Sequence, residues 1–387
     1  MIKCPKCGKV ESIKRAGFLR GKQRFCCKEC DYFFIENTES SPVVKQRHQT
    51  TIIDIANKIG VSTATVSRAL NGHPDVNINT RKAIKELAAE LDYQPNLLAQ
   101  GLHRNETHTI GVIIPDIQRH FFSSVVSGIQ KIASDAGYRV MICQSNESHF
   151  TETLNVQALV ASRVDGLLIS HSRETSSFEH IKLQLNKGLP IVHFDRVCEE
   201  VQTAKIVQED FRGSFILIEH LIKQGCKRIA VYAGPEELLI SRKRLEGYKA
   251  ALTQYGIDIA EELIIHGNFK HDDSLLALNK WLQLPEPPDG IFAVHYGNAI
   301  EIMVALKEKN VKIPEEIAIV GFGDELIASV IEPGLTTFHQ FPFKIGETAA
   351  SILIDNIIQK ENFVPFTQTV QGELKIRKSS CRGIAHE

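Results

Sequence analysis

The chain has 387 residues, 43% hydrophobic and 24% charged, with a formal net charge of −1. This is ordinary globular composition at a length that predicts two or three domains, and no run of about 18 apolar residues exists to span a bilayer. The start, Met1-Ile2-Lys3-Cys4, lacks an apolar leader segment, so a cytoplasmic location is expected.

The near-neutral total hides an asymmetry. Residues 1–50 carry 11 Lys and Arg against 5 Asp and Glu, residues 51–107 carry 6 against 6, and residues 108–387 carry 28 against 35. A basic head and an acidic body suit a head that meets phosphate, although a charge run alone is more often a solvated face.

Nine cysteines is an odd number, and four of them form Cys4-Pro5-Lys6-Cys7 and Cys27-Lys28-Glu29-Cys30. Two residues between cysteines let both sulfurs converge on one tetrahedral ion, and Gly8 permits the tight knuckle turn. Metal ligation is therefore favoured over a disulfide framework. Residues 1–36 are expected to hold one structural zinc per chain, with no open coordination position and hence no catalytic role. Cys26 is the alternative fourth sulfur; the CxxC spacing favours Cys27. Lys14, Arg15, Arg20, Lys22 and Arg24 lie between the knuckles, followed by Phe25, Tyr32, Phe33 and Phe34. This basic-aromatic-CxxC-aromatic run resembles the zinc ribbon at the head of insertion-sequence transposases, with Asp31 standing where that pattern usually has Gly.

Residues 37–50 are polar, contain Pro42 and show little periodicity, as a linker does. From Thr51 the period becomes helical. Thr51 caps a short helix, Gly60-Val61 makes a turn, and Ser62 caps a second helix over Thr63–Leu70. Asn79 is expected to cap a third helix running to Leu91. Ala56, Val61, Val66 and Leu70 face a small core, which leaves Ser62, Thr63, Ala64, Ser67 and Arg68 on the face that meets base edges and phosphates.

Beyond Thr109, short apolar runs alternate with amphipathic segments. The strands predicted are Ile110–Ile114, Val140–Cys143, Gly166–Ile169, Ile191–Phe194, Arg228–Ala233, Gly290–Val294 and Ala318–Phe322; near-continuous apolar runs suit strands buried on both faces of a parallel sheet. Helical spacing marks Phe121–Ala136, Phe211–Gln224, Ser241–Tyr255 and Ala299–Lys309. The class is α/β, with doubly wound sheets in two lobes and a ligand cleft beyond the carboxyl ends of the strands.

The run Ile55-Ala56-Asn57-Lys58-Ile59-Gly60-Val61-Ser62-Thr63-Ala64-Thr65-Val66-Ser67-Arg68-Ala69-Leu70-Asn71-Gly72 resembles the headpiece of the lactose-repressor/galactose-repressor (LacI/GalR) family. The likeness continues through Thr80-Arg81, Leu91-Asp92-Tyr93-Gln94-Pro95-Asn96 and the hinge Leu97–Leu102, then over the body to about Ser379. The ribbon stands outside the usual family plan. The resemblance implies a helix-turn-helix headpiece over 51–94 and a hinge helix over 95–107 in which Asn96, Ala99 and Leu102 meet the minor groove. A periplasmic-binding-protein-like effector and dimerisation domain then spans 108–387. Leu102, paired across a homodimer, would wedge a central base step. Gly101 lowers helix propensity by roughly 1 kcal/mol against Ala, which suits a helix ordered only on DNA.

For the body, the resemblance implies that Asp195, Arg196, Arg244 and Phe269 contact a small effector, with Phe121, Ser170 and Asp324 as further cleft residues. Two departures stand out. His295-Tyr296 replaces the family's Asn-Asp, and Gly323-Asp324 keeps one acid of an Asp-Asp pair. The function implied is a DNA-binding transcription regulator controlled by an effector, with a carbohydrate as the leading class and a nucleoside or other metabolite as the alternative. A solute receptor is disfavoured by the headpiece. An enzyme is disfavoured because no nucleophile-base constellation or Gly-rich phosphate loop stands out, and a transposon-derived nuclease because no acidic metal-binding set is evident.

Overall fold

The computed structural model describes residues 2–19, 22–35, 50–94, 106–269, 271–359 and 362–383. It divides into two compact units, Met1–Asn96 and Leu97–Glu387. Most of the expected linker and the hinge positions Asn96, Ala99 and Leu102 lie outside the described residues.

In the first unit, strands β1 (Ile13–Leu19), β2 (Lys22–Cys27) and β3 (Phe33–Ile35) form an antiparallel sheet in that order. Phe25 is buried and packs on Phe34, with ring centroids 6.0 Å apart. Asp31 adopts the left-handed backbone at φ 49°. The turn thus keeps the conformation that a Gly would take, which Asp tolerates better than most residues.

Helix α1 (Ile52–Ile59) starts at a reciprocal cap: the Thr51 backbone N–H donates to Asp54 at 2.7 Å while the Thr51 side chain accepts from the Asp54 N–H. Gly60 ends it at φ 77°, where a side chain would be strained. Ser62 caps α2 (Thr63–Leu70) by accepting from the Thr65 N–H at 3.1 Å. The third helix, α3 (Ile78–Glu90), is capped by Asn77 rather than Asn79. Asn79 already lies inside the helix, and its own N–H is the group that Asn77 accepts from at 2.9 Å. Ile55, Ala56, Val66, Ala69, Ile84 and Ala88 fill the core, with Val61 and Leu70 half-buried against it.

The second unit has two lobes. The first begins β4 (Thr109–Ile114), α4 (His120–Asp135), β5 (Arg139–Gln144), α5 (His149–Ala161), β6 (Gly166–Ile169), α6 (Glu179–Asn186), β7 (Ile191–Phe194) and β8 (Ala204–Gln208). The chain then enters the second lobe through α7 (Asp210–Lys223), β9 (Ile229–Tyr232), α8 (Leu239–Gln254), β10 (Ile264–Ile265), α9 (His271–Leu282) and β11 (Gly290–Ala293). That lobe continues with α10 (Tyr296–Glu308), β12 (Ala318–Phe322), α11 (Leu326–Val330) and β13 (Thr336–His339). It returns for α12 (Pro342–Gln359) and β14 (Thr367–Val370), and crosses once more for β15 (Glu373–Lys375). The sheets run β14-β8-β7-β6-β4-β5, all parallel, and β10-β9-β11-β12-β13-β15, antiparallel only at β13–β15. All seven predicted strands are present; β8, β10 and β13–β15 are additional.

Helices α4 and α12 cross in the first lobe at two facing glycines. A Cβ on Gly128 would overlap the Phe343 carbonyl, and one on Gly346 would overlap the Val125 carbonyl. Both obstacles are helix backbone, so neither can step aside. Gly128→Ala is expected to destabilise the body by about 2 kcal/mol or more, read as a lower urea midpoint at unchanged slope.

Candidate functional site

The sulfurs of Cys4, Cys7, Cys27 and Cys30 lie within 4.8 Å of one another. The pairs Cys4–Cys30 and Cys7–Cys27 are each 3.6 Å apart. Sulfurs about 2.3 Å from a tetrahedral ion stand about 3.8 Å from each other, so the spacing fits a shared ion and not a disulfide. The knuckles are closed by the Gly8 N–H donating to the Cys4 carbonyl at 2.9 Å and the Cys27 N–H donating to the Tyr32 carbonyl at 3.0 Å. Cys26 is buried in the sheet outside this group, between Lys14 and Phe33. The four cysteines can therefore bind a metal ion, and Cys27 is the fourth sulfur in the cluster.

On the headpiece, Ser62, Thr63, Ala64 and Arg68 are exposed and Ser67 is half-buried. Arg68 pairs with Asp75 at 3.0 Å. An exposed pair of this kind is worth about 0–1 kcal/mol, so Asp75 holds the guanidinium only weakly.

In the body, the carboxyl ends of strands from both sheets converge on a cavity of about 50 Å³. From the first lobe come Arg119, Phe121, Phe122, Asp195 and Arg196. From the second come Ile240, Arg244, Phe269, His295, Tyr296, Phe322 and Glu325, and Gln340 joins from the crossing after β13. The void is smaller than a sugar ring, so ligand entry requires side chains or lobes to move apart.

The charged groups are held in place. Glu147 chelates Arg196 at 2.6 and 2.9 Å. Burial alone would raise the Glu147 carboxyl, but the Arg196 charge and hydrogen bonds hold it down at about 2. Arg244 donates to Asp210 at 2.8 Å and to the Val294 carbonyl at 2.7 Å, and its guanidinium lies 3.8 Å above the Phe322 ring. Asp195 accepts from Gln208 at 2.6 Å, and Gln340 in turn donates to Gln208. Burial pushes Asp195 up to about 6 against the pull of Arg196 and Arg244. His295, between Phe269 and Tyr296 at 5.5 and 4.9 Å, is pushed down to about 3 by burial and by Arg119 and Arg244. It is therefore a neutral ring at ordinary pH.

Five residues expected in the cleft, Phe121, Asp195, Arg196, Arg244 and Phe269, are brought together. Two are not. Ser170 is fully buried at the end of β6, its hydroxyl without a hydrogen-bond partner. Asp324 turns away to pair with Arg377 at 2.8 Å and Thr337 at 2.7 Å, and the neighbouring Glu325 lines the cavity instead. Glu147, Gln208, Asp210 and Gln340 carry no signal in the sequence: Gln208 ends β8 and Gln340 follows β13, two strands that the apolar pattern does not mark.

A helix-turn-helix with an exposed second helix, followed by a two-lobed body with a charged and aromatic cleft, defines a DNA-binding transcription regulator with a small-molecule sensor. The description of bacterial regulatory proteins of the lacI family matches residues 51–96, and that of the periplasmic binding protein-like domain matches residues 218–380. The HTH-type transcriptional repressor CytR of Escherichia coli is 32% identical over 336 residues, covering 87% of this chain and 98% of that protein. The HTH-type transcriptional repressor PurR of Vibrio atlanticus is 31% identical over 312 residues, covering 81% and 93%. Among solved structures, the lac repressor dimer bound to operator and the anti-inducer ONPF superposes with a TM-score of 0.76 at 25% identity, covering 86% of this chain and 99% of that one. The chain belongs to the lacI family of bacterial regulatory proteins.

Proposed function

We propose that this chain is a homodimeric, cytoplasmic repressor whose operator affinity is controlled by a carbohydrate bound between the lobes. The observation that carries this is the cleft itself. Arg196 and Arg244, one from each lobe, flank Asp195 among aromatic faces, and charged fork donors with an acid suit paired hydroxyls while an aromatic ring covers a C–H face. The names of the relatives support repression. Phe121 and Phe122 on one side and Phe269, His295 and Tyr296 on the other favour a second reading, a nucleoside whose planar base enters between them. Fluorescence anisotropy on labelled operator with a panel of sugars and nucleosides separates the two. A single active sugar supports the first reading, an active nucleoside replaces it with the second, and no response from either class removes both.

In this reading the cysteine cluster holds zinc and forms a transposase-like ribbon whose Lys14, Arg15, Arg20, Lys22 and Arg24 add contacts flanking the operator. The hinge inserts Leu102 into the minor groove, beside Asn96 and Ala99. Arg68→Ala is expected to weaken binding to all sequences by roughly tenfold and to lower the salt slope by about 1, since it removes a phosphate contact. Leu102→Ala is expected to weaken only operator binding. Equal affinity of parent and Leu102→Ala for the operator would remove the hinge wedge.

A further inference from the structure

A second group of metal-type ligands lies in the first lobe, remote in sequence from the cysteines. His149 and Glu152 are three apart in the first turn of α5 and so share a face, and His180 reaches them from α6. One ligand atom from each lies within 4.8 Å of the others. His180 Nε2 is 2.9 Å from Glu152 Oε1, and the two imidazoles meet edge to face with centroids 5.2 Å apart.

Glu152 is fully buried and preset. Its carboxylate accepts from the Ser172 backbone N–H and from the Thr175 hydroxyl at 3.1 Å. His149 Nδ1 is shut off from solvent with no hydrogen-bond partner. Buried imidazole nitrogens are seldom left unpaired, and this ring stands edge to face with the His180 ring beside a preset carboxylate.

We infer that His149, Glu152 and His180 form a site for a divalent transition-metal ion of the zinc type, separate from the cysteine cluster. Two imidazole nitrogens and one carboxylate are a three-ligand set for a borderline ion that leaves a position for water. Magnesium and calcium demand more oxygen donors than the group offers. Ser172 and Thr175 supply the outer hydrogen bonds that fix a ligating carboxylate. An ion here ties the start of α5 to the start of α6, and through Glu152 bears on the loop after β6, whose Ser172 and Thr175 bond that carboxylate. That loop carries the His171 carbonyl that faces Arg196 at 3.4 Å and the Arg173 N–H that donates to Glu147 at 2.8 Å. Influence on Arg196 rests on the effector reading; metal binding itself does not.

The test uses the untagged full chain, stripped of metal and titrated with Co²⁺. Two equivalents per chain are expected: one giving the strong near-ultraviolet absorption of thiolate-bound cobalt, and one without it. His149→Gln and His180→Gln are each expected to weaken the second by about tenfold or more, leaving the thiolate band unchanged. The proposal is overturned if the parent binds no cobalt beyond the thiolate-bound equivalent. It is equally overturned if the second equivalent persists unweakened in the doubly substituted chain. Both readouts are blind to the effector, so failure of the cleft reading leaves them standing.

Discussion

Arg244→Ala is expected to abolish the response to any active effector while leaving operator recognition in place, and to cost the body much of its stability. The two effects have separate origins. The guanidinium is only 4% exposed and is the sole ionic partner of the buried Asp210 among the described residues. Removing one member of such a pair leaves an uncompensated buried carboxylate, at about 3–5 kcal/mol. For a body of this size that lowers the melting temperature by on the order of 10 °C. Burial already raises Asp210 above the usual carboxylate range, with Arg244 pulling it back. Adding Asp210→Asn should therefore restore most of the stability and none of the response. Operator anisotropy with and without effector, measured beside thermal melts, reads both. A double variant that regains the response would show that Arg244 acts only by holding the fold.

Loss of the ion from the cysteine cluster is expected to unfold residues 2–35 alone. The described residues of this segment have three buried cysteines and Phe25 as their buried apolar side chains, far too little for a core of their own. Structural zinc in small domains supplies about 10–16 kcal/mol of apparent binding energy at neutral pH, which is then folding energy. In a chain carrying His149→Gln and His180→Gln, so that only the cysteine cluster loses metal, chelation should therefore abolish the amide protection of residues 2–35 while the helices of the headpiece and the melting of the body are unchanged. Cys27→Ser should release the metal. Cys26→Ser should keep it, because that sulfur sits outside the cluster. Equal loss in both variants would reassign the fourth ligand.

The parts legible in the sequence were those with one dominant local signal. Strands such as Ile110–Ile114 and Ala318–Phe322 are continuous apolar runs because both faces of a parallel sheet are covered, and the headpiece announces itself through its caps at Thr51 and Ser62. The strands that escaped notice carry polar residues for tertiary reasons. β8 alternates, with Lys205 reaching the Val201 carbonyl at 2.8 Å, and β14 is mostly exposed. In the cleft, Asp195 and Arg196 follow a strand end, where ligands are expected. Glu147 and Asp210 are recognisable only through the arginines they hold, 49 and 34 residues away. Asp324 and Glu325 show the same limit: only the fold decides which of two adjacent acids turns toward Arg377. His149, Glu152 and His180 escaped because their alignment depends on how α5 meets α6.

The three crossings between the lobes set an order of events during synthesis. A ribosome delivers the chain N-terminus first at about 5–20 residues per second, so the cysteine-bearing segment and the headpiece are finished well before the body. The first lobe has to wait for α12, whose Ile345, Ala349, Ala350 and Leu353 occupy its main core. The second waits longer still, for β15 and for Ser379, which bonds Ile319, Gly334 and Thr336. A nascent regulator therefore owns its DNA-reading helix before it owns a sensor. A message cut at codon 340 would yield a chain with an intact head and neither lobe complete.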